Sequence, residues 1–364
     1  MKRTVLYGRH AALNAKMAEY GGYDMPIQYE GIVKEHQAAR SGAAVFDTCH
    51  MGEFMVRGAG AVAGLERVLS CDVADIRAGA CRYGFICNDA GGVVDDLIIY
   101  RIGESEFMLV VNSATEEGDF EWLKAHLPAN AALENISQST AKIDVQGPAS
   151  PKIAASLVKN PLSAMKYYHF AVNSYRGAEV VVSRTGYTGE IGFEIYCPAD
   201  AAENFWNDCV ERGAVPAGLG ARDILRLEMG FPLYGHELSQ DRNAAQSAFP
   251  RALSRKKEFI GSASVLDPSA ASQLLCGIAI NGRRSARHGD AVFSADGKEA
   301  GVITSGSFAP SLGFAVALGY INKEYSAIDT ELRIISGKAE IPAKISPLPF
   351  YKNATARVDI NLYL

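Results

Sequence analysis

Residues 83–102 read YGFICNDAGGVVDDLIIYRI. Two apolar runs flank a turn-forming segment at 89–92, which predicts two antiparallel strands joined by a tight turn. The second run contains two adjacent acids, Asp95 and Asp96, in one of the most apolar segments of the chain. A buried carboxylate is costly unless it is paired or hydrogen-bonded, so the two acids need an explanation.

The two acids of this strand are expected to point in opposite directions, because successive side chains of a strand alternate between its faces. One face would carry Val94, Asp96, Ile98 and Tyr100, and the other Val93, Asp95, Leu97 and Ile99. The acids therefore cannot do the same job, and alternation alone does not say which is functional. An aromatic ring in register with an acid favours a ring-binding pocket on the face of Asp96 and Tyr100.

The surrounding sequence predicts an α+β fold. Residues 51–140 give the order helix, three strands, helix, strand, which is typical of hairpins rather than of alternating βαβ units. The pattern restarts near residue 141, and after about 250 short strands with glycine turns predict a small barrel or sandwich. Helices are predicted at 11–20, 28–40, 59–70, 115–127, 201–213 and 221–230.

Composition limits the possible functions. The chain has 364 residues, which suits two or three domains, and a net charge of −5, which argues against nucleic-acid and anionic-membrane partners. No apolar run reaches the ~18 residues of a membrane span, and the N-terminus resembles neither a signal nor a transit peptide. Seven scattered cysteines without a CxxC motif favour a reduced, cytoplasmic setting and no metal site.

Two further segments could carry chemistry. Residues 184–194, RTGYTGEIGFE, are glycine-rich and suit close approach to a ligand, although from the pattern alone an ordinary hairpin is the simpler explanation. Residues 218–230 form a glycine turn feeding a helix in which Arg222 and Arg226 lie four apart on one face. These arginines could bind an anion or form salt bridges with acids of the same helix.

Several motifs in order resemble the glycine cleavage system T-protein family of aminomethyltransferases. They are HMGEF (50–54), GGVVDDLIIY (91–100), VVNSAT (110–115), SRTGYTGEIGFE (183–194), GLGARDILRLEMGFPLYGHEL (218–238), GVITSGSFAPSLG (301–313) and PFYKN (349–353). The resemblance implies a three-domain cloverleaf around a central folate site. Its parts would be a discontinuous domain of 1–50 plus 145–250, a ferredoxin-like domain of 51–144, and a C-terminal β-barrel or jelly roll of 251–364.

The resemblance also implies a reaction. An aminomethyl carbon carried on the dihydrolipoyl arm of the H-protein would move to tetrahydrofolate, giving 5,10-methylenetetrahydrofolate and ammonia. H-protein would be a transient partner, other glycine cleavage proteins indirect ones, and tetrahydrofolate a co-substrate used without a metal. Asp96 matches the catalytic acid, which would orient the folate N10 region and manage protons, leaving Asp95 a structural role.

The remaining site residues follow from the same resemblance. Glu194 would accept hydrogen bonds from the pterin edge, and Tyr83, Tyr167 and Tyr187 would provide stacking surfaces. The implied folate-binding residues are Tyr83, Tyr100, Asn112, Tyr167, Tyr187, Glu194, Arg222 and Arg357.

The chain also departs from the family pattern. Residues 242–256 are atypical and basic, Cys49 stands where serine is usual, and VDINLYL extends the C-terminus. The basic run Arg251, Arg255, Lys256 and Lys257 is a candidate for meeting an acidic partner or simply a solvated face.

Two other functions fit the same fold. A tetrahydrofolate-dependent demethylase would have the same folate pocket but a different opening for its substrate. A folate-binding accessory protein would carry a K-G-C-Y-x-G-Q-E motif, but the comparable segment here is RTGYTGEIGFE, without the cysteine.

Overall fold

The computed structural model describes residues 1–267 and 269–364, and its strands form a hairpin, two larger sheets and a barrel. The helices are α1 (Tyr7–Ala12), α2 (Ile32–Ser41), α3 (Ala61–Val68), α4 (Glu116–His126), α5 (Ser150–Leu157), α6 (Ala202–Glu211), α7 (Leu219–Met229) and α8 (Ser262–Val265). The strands of the first half are β1 (Lys16–Tyr20), β2 (Tyr23–Gln28), β3 (Ala44–Asp47), β4 (Gly52–Arg57), β5 (Cys81–Cys87), β6 (Val93–Gly103), β7 (Glu106–Val111), β8 (Ala132–Asn135) and β9 (Thr140–Gln146). Those of the second half are β10 (Phe170–Tyr175), β11 (Ala178–Ser183), β12 (Gly192–Pro198), β13 (Val215–Pro216), β14 (Gln273–Ile280), β15 (Ala291–Ser294), β16 (Glu299–Ala309), β17 (Phe314–Asn322), β18 (Glu331–Ser336) and β19 (Ala339–Ser346).

The strand with the two acids lies inside a five-stranded sheet of order β5-β6-β7-β4-β8. Its predicted pairing with the preceding apolar run is confirmed, since β5 and β6 are antiparallel neighbours with Phe85 opposite Asp96. One face of the sheet forms a core with α3 and α4, in which Leu97 and Ile99 contact a cluster that includes Leu65 and Leu123. The opposite face carries Asp96, so the sheet has a helix-covered side and a side that meets the rest of the protein.

A β-bulge changes the predicted alternation at the start of β6. Cys87 pairs with Val93 while Ile86 pairs with Asp95, so Val94 is an extra residue in the ladder. Val94 therefore packs with the helix-side core and Val93 joins Phe85 on the side of Asp96. The predicted faces of these two valines were wrong, whereas Asp95 and Asp96 keep the opposite faces that alternation assigned them.

The second large sheet has six strands in the order β10-β11-β12-β9-β3-β13. Its neighbours are antiparallel except for β3 and β13, which are parallel. Ile143 and Val145 of β9 belong to the core that the sheet forms with α5 and α6. Because side chains alternate, the residues between them, Lys142 and Asp144, lie on the opposite face of the sheet.

The C-terminal strands close into a six-stranded barrel of order β14-β17-β16-β15-β18-β19. Of the barrel and the sandwich that the sequence left open, the barrel is therefore confirmed, as is the α+β class. The predicted domain junctions at 50/51, 144/145 and 250/251 stay predictions. Of the helices in the described residues, none is long and apolar enough to cross a bilayer.

The helix predicted for residues 11–20 was wrong in its second half. The chain leaves the helical conformation at Asn14, which has a φ of 53°, and Lys16–Tyr20 pairs with Tyr23–Gln28 as a hairpin. Gly21 and Gly22, with φ values of 56° and 85°, supply the left-handed turn that this hairpin needs. Strand pairing across a glycine turn thus overrides the local helix propensity of Lys, Met, Ala and Glu.

Candidate functional site

The carboxyl group of Asp96 is held by donors from both neighbouring strands. The Tyr83 hydroxyl, on β5, donates to Oδ2 at 2.9 Å, and Asn112 Nδ2, just after β7, donates to Oδ1 at 2.9 Å. Asp96 remains partly exposed, unlike the fully buried Asp95. The sheet therefore fixes an acid whose outer edge is still accessible.

Asn112 also holds the second acid of the pair. Its backbone N–H donates to Asp95 Oδ2 at 3.0 Å and its Nδ2 to Asp95 Oδ1 at 2.8 Å. Beyond Asp95, on the helix side, lies the buried Asp119 of α4. Burial and the Asp95 carboxylate raise the pKa of Asp119 to about 10, so Asp119 is protonated at neutral pH.

Burial raises the pKa of both acids. Burial, followed by repulsion from the Asp95 carboxylate, raises the pKa of Asp96 to about 7, while the hydrogen bonds from Tyr83 and Asn112 oppose this increase. A carboxyl group that ionises near neutrality can both take up and release a proton under physiological conditions. Asp96 is therefore suited to acid–base chemistry, and Asp95 helps to set its pKa.

A second group of residues surrounds Glu194 on β12. Lys142 Nζ donates to Glu194 Oε1 at 2.8 Å, and the Thr185 hydroxyl donates to Oε2. The Tyr100 hydroxyl also reaches Oε2, at 3.3 Å. The Tyr100 ring has no accessible surface and packs on Phe170, so Tyr100 meets the site through its hydroxyl rather than as a stacking surface.

Arg222 joins this group through Asp144. Its Nη1 donates to Asp144 Oδ2 at 2.6 Å, and Lys142 Nζ donates to the other oxygen of Asp144 at 2.8 Å. The guanidinium also lies 5.2 Å from the centre of the Tyr187 ring. Four charged groups thus form a continuous series, Arg222, Asp144, Lys142 and Glu194, in which the signs alternate.

A row of aromatic rings connects the two groups. Tyr187 stacks on Phe231 at 5.8 Å with an interplanar angle of 19°, and Phe231 lies 6.4 Å from Phe249. Phe249 in turn lies 5.6 Å from Tyr83, the donor to Asp96. Each of these four rings is partly exposed, so together they offer apolar surface between Asp96 and Arg222.

The last two predicted residues also lie together. The guanidinium of Arg357 is 5.4 Å from the centre of the Tyr167 ring. Burial raises the pKa of Tyr167 to about 12, and Arg357 and Glu194 are both close enough to affect it. Burial likewise raises the pKa of Tyr187, with a further contribution from Asp96. The predicted residues therefore form three local groups, and the charges of one group affect the pKa of side chains in another.

Sequence reasoning missed several residues of the site. Lys142 and Asp144 had a detectable signal, because AKIDVQ places opposite charges two positions apart between apolar residues of a central strand. Phe231 and Phe249 had none, since their rings reach the site from loops. Phe249 belongs to segment 242–256, which therefore contributes directly to the aromatic row.

The basic run at 251–257 is only partly available to a partner. Lys257 Nζ donates to the carbonyl oxygens of Glu66 and Leu69, the latter at 2.7 Å, and is bound to the end of α3. Lys256 lies 3.7 Å from carboxylates of Asp72 and Asp75. Among the described residues, no group of three His, Cys, Asp or Glu side chains is arranged to hold a metal ion.

Two family models match the chain. The model described as "GCVT N-terminal domain" matches residues 6–257, and the model described as "Glycine cleavage T-protein C-terminal barrel domain" matches residues 274–352. The second match coincides with the closed barrel.

Individual proteins give the same result. The aminomethyltransferase of Geobacillus kaustophilus is 41% identical over 364 residues, covering 97% of this chain and 100% of that protein. The aminomethyltransferase of Chloroherpeton thalassium is 40% identical with the same coverage. The crystal structure of glycine cleavage system aminomethyltransferase T from Bartonella henselae superposes with a TM-score of 0.91 at 30% identity, covering 97% of this chain and 99% of that one. This chain therefore belongs to the glycine cleavage T-protein family.

Proposed function

We propose that the protein is the aminomethyltransferase of a glycine cleavage system. It moves the aminomethyl carbon from the dihydrolipoyl arm of H-protein to tetrahydrofolate, and it releases ammonia and 5,10-methylenetetrahydrofolate. The observation that carries the proposal is the Asp96 carboxyl, held by Tyr83 and Asn112 with a pKa raised to about 7 mainly by burial.

The side chains of the site fit a reduced folate. A pterin is a flat ring system with a hydrogen-bond donor edge, which suits the Glu194 carboxylate and the partly exposed rings of Tyr83, Tyr167 and Tyr187. Arg222 and Arg357 each lie over a tyrosine ring and supply positive charge for the anionic part of the molecule. The residues present thus match the ring, the donor edge and the charge of the co-substrate.

Asp96 manages the protons of the transfer. The carbon–sulfur bond to the lipoyl arm and the carbon–nitrogen bond to ammonia both break as the carbon joins two folate nitrogens. Each of these nitrogens loses a proton, and one proton ends on ammonia and the other on the lipoyl thiol. Asp96 accepts a proton from the folate N10 region and returns it toward the leaving group, which its pKa near 7 permits.

Asn112 and Tyr83 orient the acid for this task. Both donate to Asp96, so the carboxylate cannot rotate freely away from the reacting nitrogen. Asp95, buried on the other face, accepts two hydrogen bonds from Asn112 and keeps this donor in place. Asp96 is thus the catalytic residue, and Asn112, Tyr83 and Asp95 position it.

The partner, the setting and the domains belong to the same proposal. H-protein binds transiently, other glycine cleavage proteins act indirectly through it, and the reaction takes place in the cytoplasm. The site lies where the discontinuous domain 1–50 plus 145–250, the domain 51–144 and the domain 251–364 meet.

The experiment combines the purified protein, aminomethyl-loaded lipoylated H-protein and tetrahydrofolate. Ammonia and 5,10-methylenetetrahydrofolate are assayed together, and each substrate is omitted in turn. Equal amounts of both products, dependent on each substrate, are expected. If folate binds but neither product forms, the donor is wrong, and a screen of methyl donors then tests the demethylase function.

A further inference from the structure

Lys142 is a fully buried lysine whose ammonium group has a partner for every hydrogen. Its Nζ contacts Asp144 Oδ1 and Glu194 Oε1, both at 2.8 Å, and the Thr48 hydroxyl at 3.2 Å. Only 1% of the side chain is exposed. Since three donors are directed at three acceptors, the ammonium is fixed in place and has no hydrogen left for a ligand.

Asp144 binds Arg222 as Lys142 binds Glu194. Its Oδ1 accepts from Lys142 and from the Thr48 hydroxyl at 2.9 Å, and its Oδ2 accepts from Arg222. Asp144 has no accessible surface. Lys142 and Asp144 lie two positions apart on β9, so one rigid strand carries both inner members of the charged series.

The two outer members of the series are Glu194 and Arg222, which the proposed function assigns to folate. The series contains two cations and two anions, so each buried charge has an opposite neighbour and the whole is neutral. Removing one inner member would leave a buried charge unpaired, which is costly and makes the outer groups move or change protonation.

We propose that Lys142 and Asp144 are positioning residues that hold Glu194 and Arg222 as one balanced unit and thereby set the affinity for folate without touching it. The inference rests on the proposed function, because it requires that Glu194 contacts the folate. It predicts that the two residues act on folate binding and its KM, whereas Asp96 acts on kcat.

The test measures tetrahydrofolate binding by titration calorimetry under reducing conditions, with thermal melting as a check on folding. The variants are Lys142→Met, Glu194→Gln and the double variant. In the double variant the charged series is again neutral, because one charge of each sign has been removed. We expect each single variant to bind folate about 10-fold more weakly or worse, as for a lost charged hydrogen bond. The double variant should bind like Glu194→Gln alone, because the effect of Lys142 passes through Glu194.

Arg40→Met is the matched control. Arg40 is also a mostly buried cation between two carboxylates, with Glu190 at 2.8 Å and Glu228 at 2.7 Å. Its loss should lower the melting temperature while folate affinity stays within about 2-fold of wild type. A comparable loss of affinity in this control would mean that general destabilisation explains the Lys142 result, and the proposal would be overturned.

The remaining outcomes separate the two claims. If Glu194→Gln weakens binding but Lys142→Met does not, or if the two losses simply add, the positioning role is refuted and the folate site stands. If Glu194→Gln binds normally, the folate contact itself is refuted, and with it the positioning role. If Lys142→Met does not fold, the double variant decides: binding equal to that of Glu194→Gln supports the proposal, and a further 10-fold loss contradicts it.

Discussion

Replacing Asp96 by Asn should abolish most turnover while leaving the local structure intact. The amide keeps the shape of the carboxyl, so its oxygen can still accept a hydrogen bond from Asn112 Nδ2. In the wild type this nitrogen lies 2.9 Å from Asp96 Oδ1. Its NH2 group can donate to the Tyr83 oxygen once that hydroxyl rotates. What the substitution removes is the group that ionises near pH 7.

The expected size of the effect follows from this loss. A positioned general acid or base contributes about 10²- to 10⁴-fold, so kcat should fall by at least about 100-fold while folate affinity is retained. Stability should change in the opposite direction. The folded-state pKa of Asp96, about 7, exceeds the value of 3.8 for a free carboxyl, so the wild-type protein loses stability as pH rises toward 7. At pH 8 the Asn variant should gain about 1–4 kcal/mol in free energy of unfolding.

The assay measures both products with loaded H-protein and, in parallel, urea unfolding at pH 5 and pH 8. Asp95→Asn is the matched control, since it removes the neighbouring charge but not the catalytic acid. It should keep far more turnover than Asp96→Asn, although its amide oxygen can accept only one of the two Asn112 hydrogen bonds, and its pH–rate profile should shift toward acid because the Asp95 carboxylate no longer raises the pKa of Asp96. Near wild-type turnover of Asp96→Asn, together with an inactive Asp95→Asn, would refute the reasoning and exchange the two roles.

Three further variants test other parts of the site. Tyr83→Phe removes a hydrogen bond that lowers the pKa of Asp96, so the pH profile of kcat/KM should move toward alkaline pH; an unchanged profile would contradict this. Burial and the Asp95 carboxylate raise the pKa of Asp119 to about 10, so the wild type loses stability as pH rises above about 4, and urea unfolding of Asp119→Asn should show a flatter pH dependence. Phe249→Ala removes the ring next to Tyr83 and should raise the KM for folate about 5-fold at nearly constant kcat, whereas a loss confined to kcat would argue against an aromatic contact.

The sequence was informative where one strong local signal decided the structure. The apolar runs around 89–92 predicted the β5–β6 pair, and the glycine-punctuated strands after 250 predicted a barrel or a sandwich, of which the structure has the barrel. The same reasoning failed at Lys16–Tyr20, where pairing across a glycine turn outweighed helix propensity. It also failed at Val93 and Val94, where a bulge shifts the alternation of the strand by one residue.

A close contact between distant segments lies next to this bulge, at Gly92. A Cβ atom at this position would lie 1.8 Å from the carbonyl oxygen of Gln240, so a side chain there would clash with the backbone of the segment after α7. Val93 N–H donates to the carbonyl of Ser239 at 3.0 Å in the same region. Contacts between residues so distant in sequence cannot be read from local patterns.

The candidate site shows the same limit. Asp96 stood out because an acid in an apolar strand is unusual, and the family resemblance then separated it from Asp95. The buried Lys142 could have been noticed for the same reason. Phe231 and Phe249 gave no signal, because an aromatic residue in a loop is common and only the tertiary fold brings these two beside tyrosines.

The position of β3 inside its sheet has a consequence for the nascent chain during translation. Ala44–Asp47 lies between β9 and β13, so its partners are residues 143–146 and 215–216. A ribosome releases this apolar strand long before either partner has been synthesised. The nascent chain therefore carries an unpaired edge of Ala, Val and Phe until residue 216 emerges, and such edges associate readily with other chains. The interval between the synthesis of residue 47 and that of residue 216 is thus the stage at which this strand is most exposed to association with other chains.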